Sequence, residues 1–260
     1  MQLTLYQIDA FTDSLFSGNP AAVVILNEWI DKKLMQNIAA ENNLSETAFV
    51  KKEGERFEIR YFTPLTEVPL CGHATLASAF VLFNMLKIPN QSIEFVTGNK
   101  IELFVSKLDQ FIELDFPVDE FFECAMPLHL EQALGVLPHK AFRGKENYML
   151  VFDSEQQIVN AIPDFEQLKK LDAPIMITAP GKEADFVSRF FAPNDGINED
   201  PVTGSAHTTL IPYWSNRFKK KKLTARQLSK RGGDLFCEFA GERVKISGKA
   251  VHYFTGTIYL

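Results

Sequence analysis

Glu46 lies between Leu44-Ser45 and Thr47-Ala48-Phe49-Val50. A carboxyl group in so apolar a setting has few partners, and partial burial raises its pKa toward neutrality. Such a group can take a proton and give it back, which is what an isomerase asks of one residue. A glutamate at a strand start is ordinarily a solvated surface group, so this reading depends on its companions. His73 directly follows Gly72 at an expected helix start, where an imidazole can hydrogen-bond or handle a proton. Asp200, in Asn198-Glu199-Asp200-Pro201-Val202-Thr203-Gly204-Ser205, can cap the next turn as well as bind a substrate. Cys71 reads as a packing residue, because a two-thiol mechanism needs a cysteine before Gly204 and the chain has Val202-Thr203 there.

Gly72-His73-Ala74-Thr75-Leu76 is echoed by Gly204-Ser205-Ala206-His207-Thr208-Thr209-Leu210. Each copy follows a strand and loop and precedes an apolar helical stretch, so the chain reads as two similar lobes. Helix N-termini present unpaired N–H groups and the positive end of the helix dipole. Glycine lets a ligand come close to the backbone. Two such starts, at Gly72 and at Gly204-Ser205, would form a clamp for a carboxylate. A single glycine-led start would only permit tight strand-to-helix packing.

The elements that must position these residues follow from patterning. Strands are expected at Leu3 to Phe11 and Ala21 to Leu26, around the Ser17-Gly18-Asn19-Pro20 turn. Asp31 caps a helix running to about Asn43, and Ser45 to Lys51 and Phe57 to Phe62 are strands. A helix from Gly72 through Leu86 carries a wide apolar face. Strands follow near Ile93 to Val96, Ile101 to Val105 and Phe111 to Leu114. A boundary near Phe116-Pro117 divides an N-terminal lobe, 1–116, from a C-terminal lobe, 117–260, with provision for the final strand to return to the first lobe. The second lobe offers a helix at Leu128 to Leu134 and strands at Tyr148 to Phe152, Ile175 to Thr178 and Asp185 to Phe191. Its apolar helix after Gly204 should be kinked or restarted by Pro212. Strands at Gly233 to Phe239, Arg243 to Ser247 and Val251 to Tyr259 complete it.

Composition narrows the function. The 260 residues are 46% hydrophobic and 23% charged, the profile of a globular chain. A net charge of −6 disfavours nucleic acid and anionic membrane as partners. The cluster Arg217, Lys219, Lys220, Lys221 and Lys222 reads as a solvated helix end or loop. Cys71, Cys124 and Cys237 are too widely spaced for a disulfide framework or a CxxC zinc site, which points to a reducing compartment. No leader or membrane span is visible, so the cytoplasm is the expected location. The nucleotide-loop, zinc-protease and serine-elbow motifs are absent, and no cofactor or metal is expected.

Ile8-Asp9-Ala10-Phe11-Thr12, Gly18-Asn19-Pro20-Ala21-Ala22-Val23, Ser45-Glu46-Thr47-Ala48-Phe49, Cys71-Gly72-His73-Ala74-Thr75 and Glu199-Asp200-Pro201-Val202-Thr203-Gly204-Ser205-Ala206-His207 occur in that order. Together with Ser188-Arg189-Phe190-Phe191-Ala192-Pro193 and Arg231-Gly232-Gly233, they resemble the signature of the phenazine-biosynthesis PhzF-like isomerases over nearly the whole chain. The resemblance implies an α+β, diaminopimelate epimerase-like fold: two pseudo-symmetric lobes, each a β-sheet wrapped around a central helix, with the active site between them. It implies a cofactor-free isomerase, with Glu46 matching the general acid/base that acts in the phenazine pathway on 2,3-dihydro-3-hydroxyanthranilate. It also implies that His73, Asp200 and Ser205 line the site and that Gly72, Gly204 and Ser205 bind a substrate carboxylate. A homodimer is common in the family. The related epimerases and racemases use one cysteine per lobe, of which only Cys71 is present here. The remaining readings are an amino-acid epimerase or racemase and a non-catalytic carboxylate-binding protein on the same fold.

Overall fold

A computed structural model describes residues 1–260, which divide into two compact units: Met1–Phe116 with Ile246–Leu260, and Pro117–Lys245. Residues 246–260 therefore belong with the first unit. The C-terminal strand, Ala250–Tyr259, pairs antiparallel with the first strand from Gln2↔Tyr259 to Ala10↔Ala250.

The first unit opens with strands β1 (Gln2–Ala10) and β2 (Asn19–Leu26), joined as an antiparallel pair. Gly18 closes the intervening loop at φ 66°, and a Cβ there would sit 2.2 Å from the Ala10 carbonyl oxygen, so only glycine fits. Helix α1 (Lys32–Asn42) starts where the Asp31 side chain accepts the N–H groups of Lys33 and Leu34, as its N-cap position predicts. It leads to β3 (Glu46–Glu53), which runs parallel to β2. Met35, Ile38 and Ala39 of α1 pack on Leu5, Val24, Phe49 and Phe62.

Strand β4 (Arg56–Phe62) pairs antiparallel with β3 and carries the short β5 (Glu67–Val68). Helix α2 (Gly72–Phe80) then crosses to β6 (Ser92–Thr97), parallel to β4. Residues 72–79 of α2 are all buried, which is the mark of a helix enclosed by its sheet. It packs against β1, β2 and β3. The expected continuation to Leu86 is present, but Val81–Met85 winds as a π-helical turn. Strands β7 (Glu102–Leu108) and β8 (Phe111–Pro117) bury Leu103, Val105, Ile112, Leu114 and Phe116 by simple alternation.

The second unit repeats this order of pairing. Strand β9 (Phe122–Glu123) lies on β10 (Lys140–Arg143), after the short helix α3 (Leu130–Leu134). Strand β10 pairs antiparallel with β11 (Tyr148–Val151). The short helices α4 (Glu155–Asn160) and α5 (Phe165–Leu168) bridge to β12 (Ile175–Pro180), parallel to β11. Strand β13 (Phe186–Ala192) is antiparallel to β12 and carries β14 (Ile197–Asp200). Helix α6 (His207–Phe218) then crosses to β15 (Lys222–Gln227), parallel to β13, followed by β16 (Gly233–Phe239) and β17 (Arg243–Gly248). The matching order of strand pairing in the two units accounts for the sequence echo, since α2 and α6 occupy the same step of the topology.

Pro212 does not begin a new helix; it sits inside α6, which runs unbroken from His207 to Phe218. Proline removes the N–H that would bond four residues back, freeing the Thr208 carbonyl. That carbonyl accepts the Asp119 N–H at 3.3 Å, so the vacancy is filled from outside the helix. The basic cluster also differs from expectation in part: Lys219 ends α6 in the left-handed conformation, while Lys222 begins β15. No helix is long and apolar enough to cross a membrane.

Candidate active site

In the first unit, the start of β3 and the start of α2 bring Glu46 and His73 together. Glu46 is 9% exposed and His73 3% exposed, and His73 Nε2 lies 3.2 Å from Glu46 Oε2. On the other side of the ring, Asn19 Nδ2 lies 3.0 Å from His73 Nδ1. An amide nitrogen only donates, so in this arrangement Nδ1 accepts and the ring proton sits on Nε2, which is 3.2 Å from Glu46 Oε2 but not aligned as a hydrogen bond to it. Burial pushes the His73 pKa down to about 3, which leaves the ring neutral at physiological pH. Cys71 Sγ is 3.4 Å from His73 Nδ1 and 4.0 Å from Nε2. The residue read as packing is therefore buried directly against the imidazole.

The position of Gly72-His73 is held from below. The Thr75 hydroxyl donates to the Cys71 carbonyl at 2.6 Å, and the Thr75 N–H donates to the same oxygen at 3.1 Å. Because the Thr75 proton is engaged in that bond, the Tyr61 hydroxyl is the donor to Thr75 Oγ1 at 2.6 Å. Burial holds the Tyr61 phenol well above its ordinary range, so it stays a donor. This relay ties β4 to the start of α2. The N–H groups of Gly72, His73 and Ala74 precede the first intrahelical bond and form the polar end of a buried helix.

In the second unit, Asp200 ends β14 and is buried, with Oδ2 accepting the Thr203 hydroxyl at 2.5 Å. Gln227, fully buried at the end of β15, clamps this loop: its Oε1 accepts the Thr203 N–H at 2.9 Å, and its Nε2 donates to the Asp200 carbonyl at 2.7 Å and to Thr203 Oγ1 at 3.1 Å. The Ser229 hydroxyl adds a bond to the Pro201 carbonyl at 2.8 Å. His207 Nδ1 donates to the Thr203 carbonyl at 2.8 Å, which fixes its tautomer and leaves its buried Nε2 without a partner. Burial pushes His207 down to about 4, against the pull of that hydrogen bond. Gly204, Ser205 and Ala206 form a turn into α6, which begins at His207, two residues later than a helix opening on Ser205. The His207 N–H donates to the Gly204 carbonyl and the Thr208 N–H to that of Ser205.

The structure thus gathers Glu46, Gly72 and His73 in one unit and Asp200, Gly204 and Ser205 in the other. Sequence reasoning missed Asn19 and Gln227. Gln227 had a signal, since it follows Leu223 and Ala225 on the inward face of β15 and is a polar residue in an apolar register. Glu46, Cys71 and His73 also make up a group of metal-ligand types whose donor atoms all lie within 4.8 Å of one another.

Two units of matching topology, each with a sheet around a buried helix, define an α+β protein of the diaminopimelate epimerase-like class. A family model described as phenazine biosynthesis-like protein (PhzC-PhzF) matches residues 8–256. The chain is 49% identical over 261 residues to an uncharacterized isomerase of Pseudomonas aeruginosa, covering 100% of both. It is 44% identical to an uncharacterized isomerase of Halalkalibacterium halodurans, covering 96% of each. The crystal structure of a PhzF-family phenazine biosynthesis protein from Enterococcus faecalis superposes with a TM-score of 0.94 at 45% identity, covering 100% of both chains. The chain belongs to the phenazine biosynthesis-like, PhzC-PhzF, family.

Proposed function

We propose that this protein is a cofactor-independent isomerase that moves a proton on a small carboxylate substrate, with Glu46 as general acid/base. The observation that carries the reading is the buried line from Asn19 through neutral His73 to Glu46. An arginine or lysine beside the carboxylate would strip it of basicity, whereas a neutral imidazole 3.2 Å away sets no full opposing charge against it. Glu46 takes a proton from an activated carbon of the substrate and returns it elsewhere on the same conjugated system. Atoms and electrons balance within the substrate, so no oxidant or reductant enters the step.

Gly72 and His73 are the substrate-binding residues proposed for the first unit, and Asp200, Gly204 and Ser205 those for the second. The N–H groups at the starts of α2 and α6 are the groups suited to a carboxylate. The curated relatives described as isomerases support the reaction type. The test is proton–deuterium exchange followed by NMR in D₂O on a panel of small cyclic and conjugated carboxylates. Exchange by the wild type that disappears in Glu46→Gln, with ligand binding retained, supports the assignment. Undiminished exchange in Glu46→Gln removes Glu46 from its role, and binding without exchange of any substrate proton favours a carboxylate-binding protein.

A further inference from the structure

Glu46, Cys71 and His73 offer one oxygen, one sulfur and one nitrogen donor, all on buried side chains and all within the first unit. This mixture suits zinc, which takes carboxylate, thiolate and imidazole together, and suits magnesium or calcium poorly because those prefer oxygen alone. In tetrahedral zinc sites with ordinary bond lengths, neighbouring donor atoms lie roughly 3.3–3.6 Å apart. His73 Nε2 and Glu46 Oε2 are 3.2 Å apart, whereas Cys71 Sγ lies 4.0 Å from Nε2 and 3.4 Å from Nδ1, so the thiol must turn toward Nε2 to complete the set. The chain supplies the outer support as well. A metal on Nε2 requires the ring proton on Nδ1, and a half-turn of the Asn19 amide presents its oxygen to that proton.

We propose that Glu46, Cys71 and His73 form an inhibitory site for a zinc ion. Zinc takes Glu46 Oε2, His73 Nε2 and the Cys71 thiolate, leaving one position for water or a substrate oxygen. The His73 proton moves from Nε2 to Nδ1, and the Cys71 proton is released to solvent. No electron is transferred. Metal binding stands on the geometry alone, whereas inhibition rests on the proposed role of Glu46, whose carboxylate the metal would occupy.

The test is titration of the full chain with zinc and with cobalt(II), whose thiolate charge-transfer absorption reports a cysteine ligand without any activity assay. The wild type should bind one cobalt with that absorption and lose it to added zinc, while magnesium displaces nothing. Cys71→Ser should lose the band, and both it and His73→Gln should weaken zinc binding by about tenfold or more. Asn19→Ala, which leaves every ligand in place, should weaken it less. A wild type without the band, or with zinc affinity unchanged by Cys71→Ser and by His73→Gln, overturns the site. Zinc that binds through Cys71 yet leaves proton exchange intact upholds the metal site and overturns the role of Glu46.

Discussion

The two units share a topology but differ at matched positions. The first residue of β3 in its parallel pairing is Glu46, opposite Ala21; the first of β12 is Ile175, opposite Tyr148. Leading into the buried helix, the first unit has Cys71-Gly72-His73 and the second has Thr203-Gly204-Ser205. Ionisable groups thus occupy the strand start and the helix start of the first unit, where an isoleucine, a threonine and a serine stand in the second. A duplicated scaffold can place two helix starts alike while setting ionisable side chains at these matched positions in only one of them. The second unit instead builds rigidity, with Gln227 and His207 holding the Thr203 backbone from either side.

The largest effect that sharpens this contrast is expected from Glu46→Gln, with a loss of roughly 10²- to 10⁴-fold in substrate proton exchange. Asp200→Asn should fall well short of that in the same NMR assay; equal losses would break the division of labour. The next effect is on stability. The folded pKa of His207 is depressed to about 4 from 6.5, so below 6.5 the unfolded chain takes up a proton that the folded chain refuses. Stability is full above pH 6.5 and falls as the pH drops toward 4, by up to about 3 kcal/mol from this residue. Urea unfolding of His207→Gln across that range should show a shallower decline than the wild type.

Gln227→Leu strands the buried Thr203 N–H and should cost about 1–3 kcal/mol in urea unfolding. It should also lower kcat/KM more than Gln227→Glu, which keeps the acceptor for that N–H. Equal activity in all three would remove the clamp from any part in positioning Asp200. The smallest effect is expected for Cys71→Ser without added metal, below about tenfold in exchange rate, or about 1.4 kcal/mol. A greater loss would make Cys71 a participant in the chemistry.

Much of the fold could be read from local signals. Asp31 caps α1 as its type predicts, and the alternation in Phe111–Pro117 and Arg243–Gly248 marks strands that bury every second residue. Other features depend on contacts no local pattern carries. Pro212 predicts a kink or a restart, whereas α6 runs on through it, with the freed Thr208 carbonyl taken by the Asp119 N–H. The π-helical turn at Val81–Met85 buries the consecutive Val81, Leu82 and Phe83, an apolar run that does not distinguish its pitch from that of an α-helix. The lysines that precede strand β15 mask it, and with it the role of Gln227. Helix α4 does carry a signal that sequence reasoning missed, the capping box of Ser154 and Gln157. At the site, Glu46 stands out by its apolar context, but its neighbour His73 is set by β3 and α2 meeting in space. Asn19 is buried at the start of β2 and reaches the same ring.

The second unit is one continuous stretch, whereas the first is assembled from residues 1–116 and 246–260. On the ribosome, then, the segment synthesised later can finish folding before the earlier one. Until Ala250–Tyr259 emerges, β1 pairs only with β2 and carries an open edge, the kind of surface on which nascent strands of other chains add. That edge is closed only by pairing with Ala250–Tyr259.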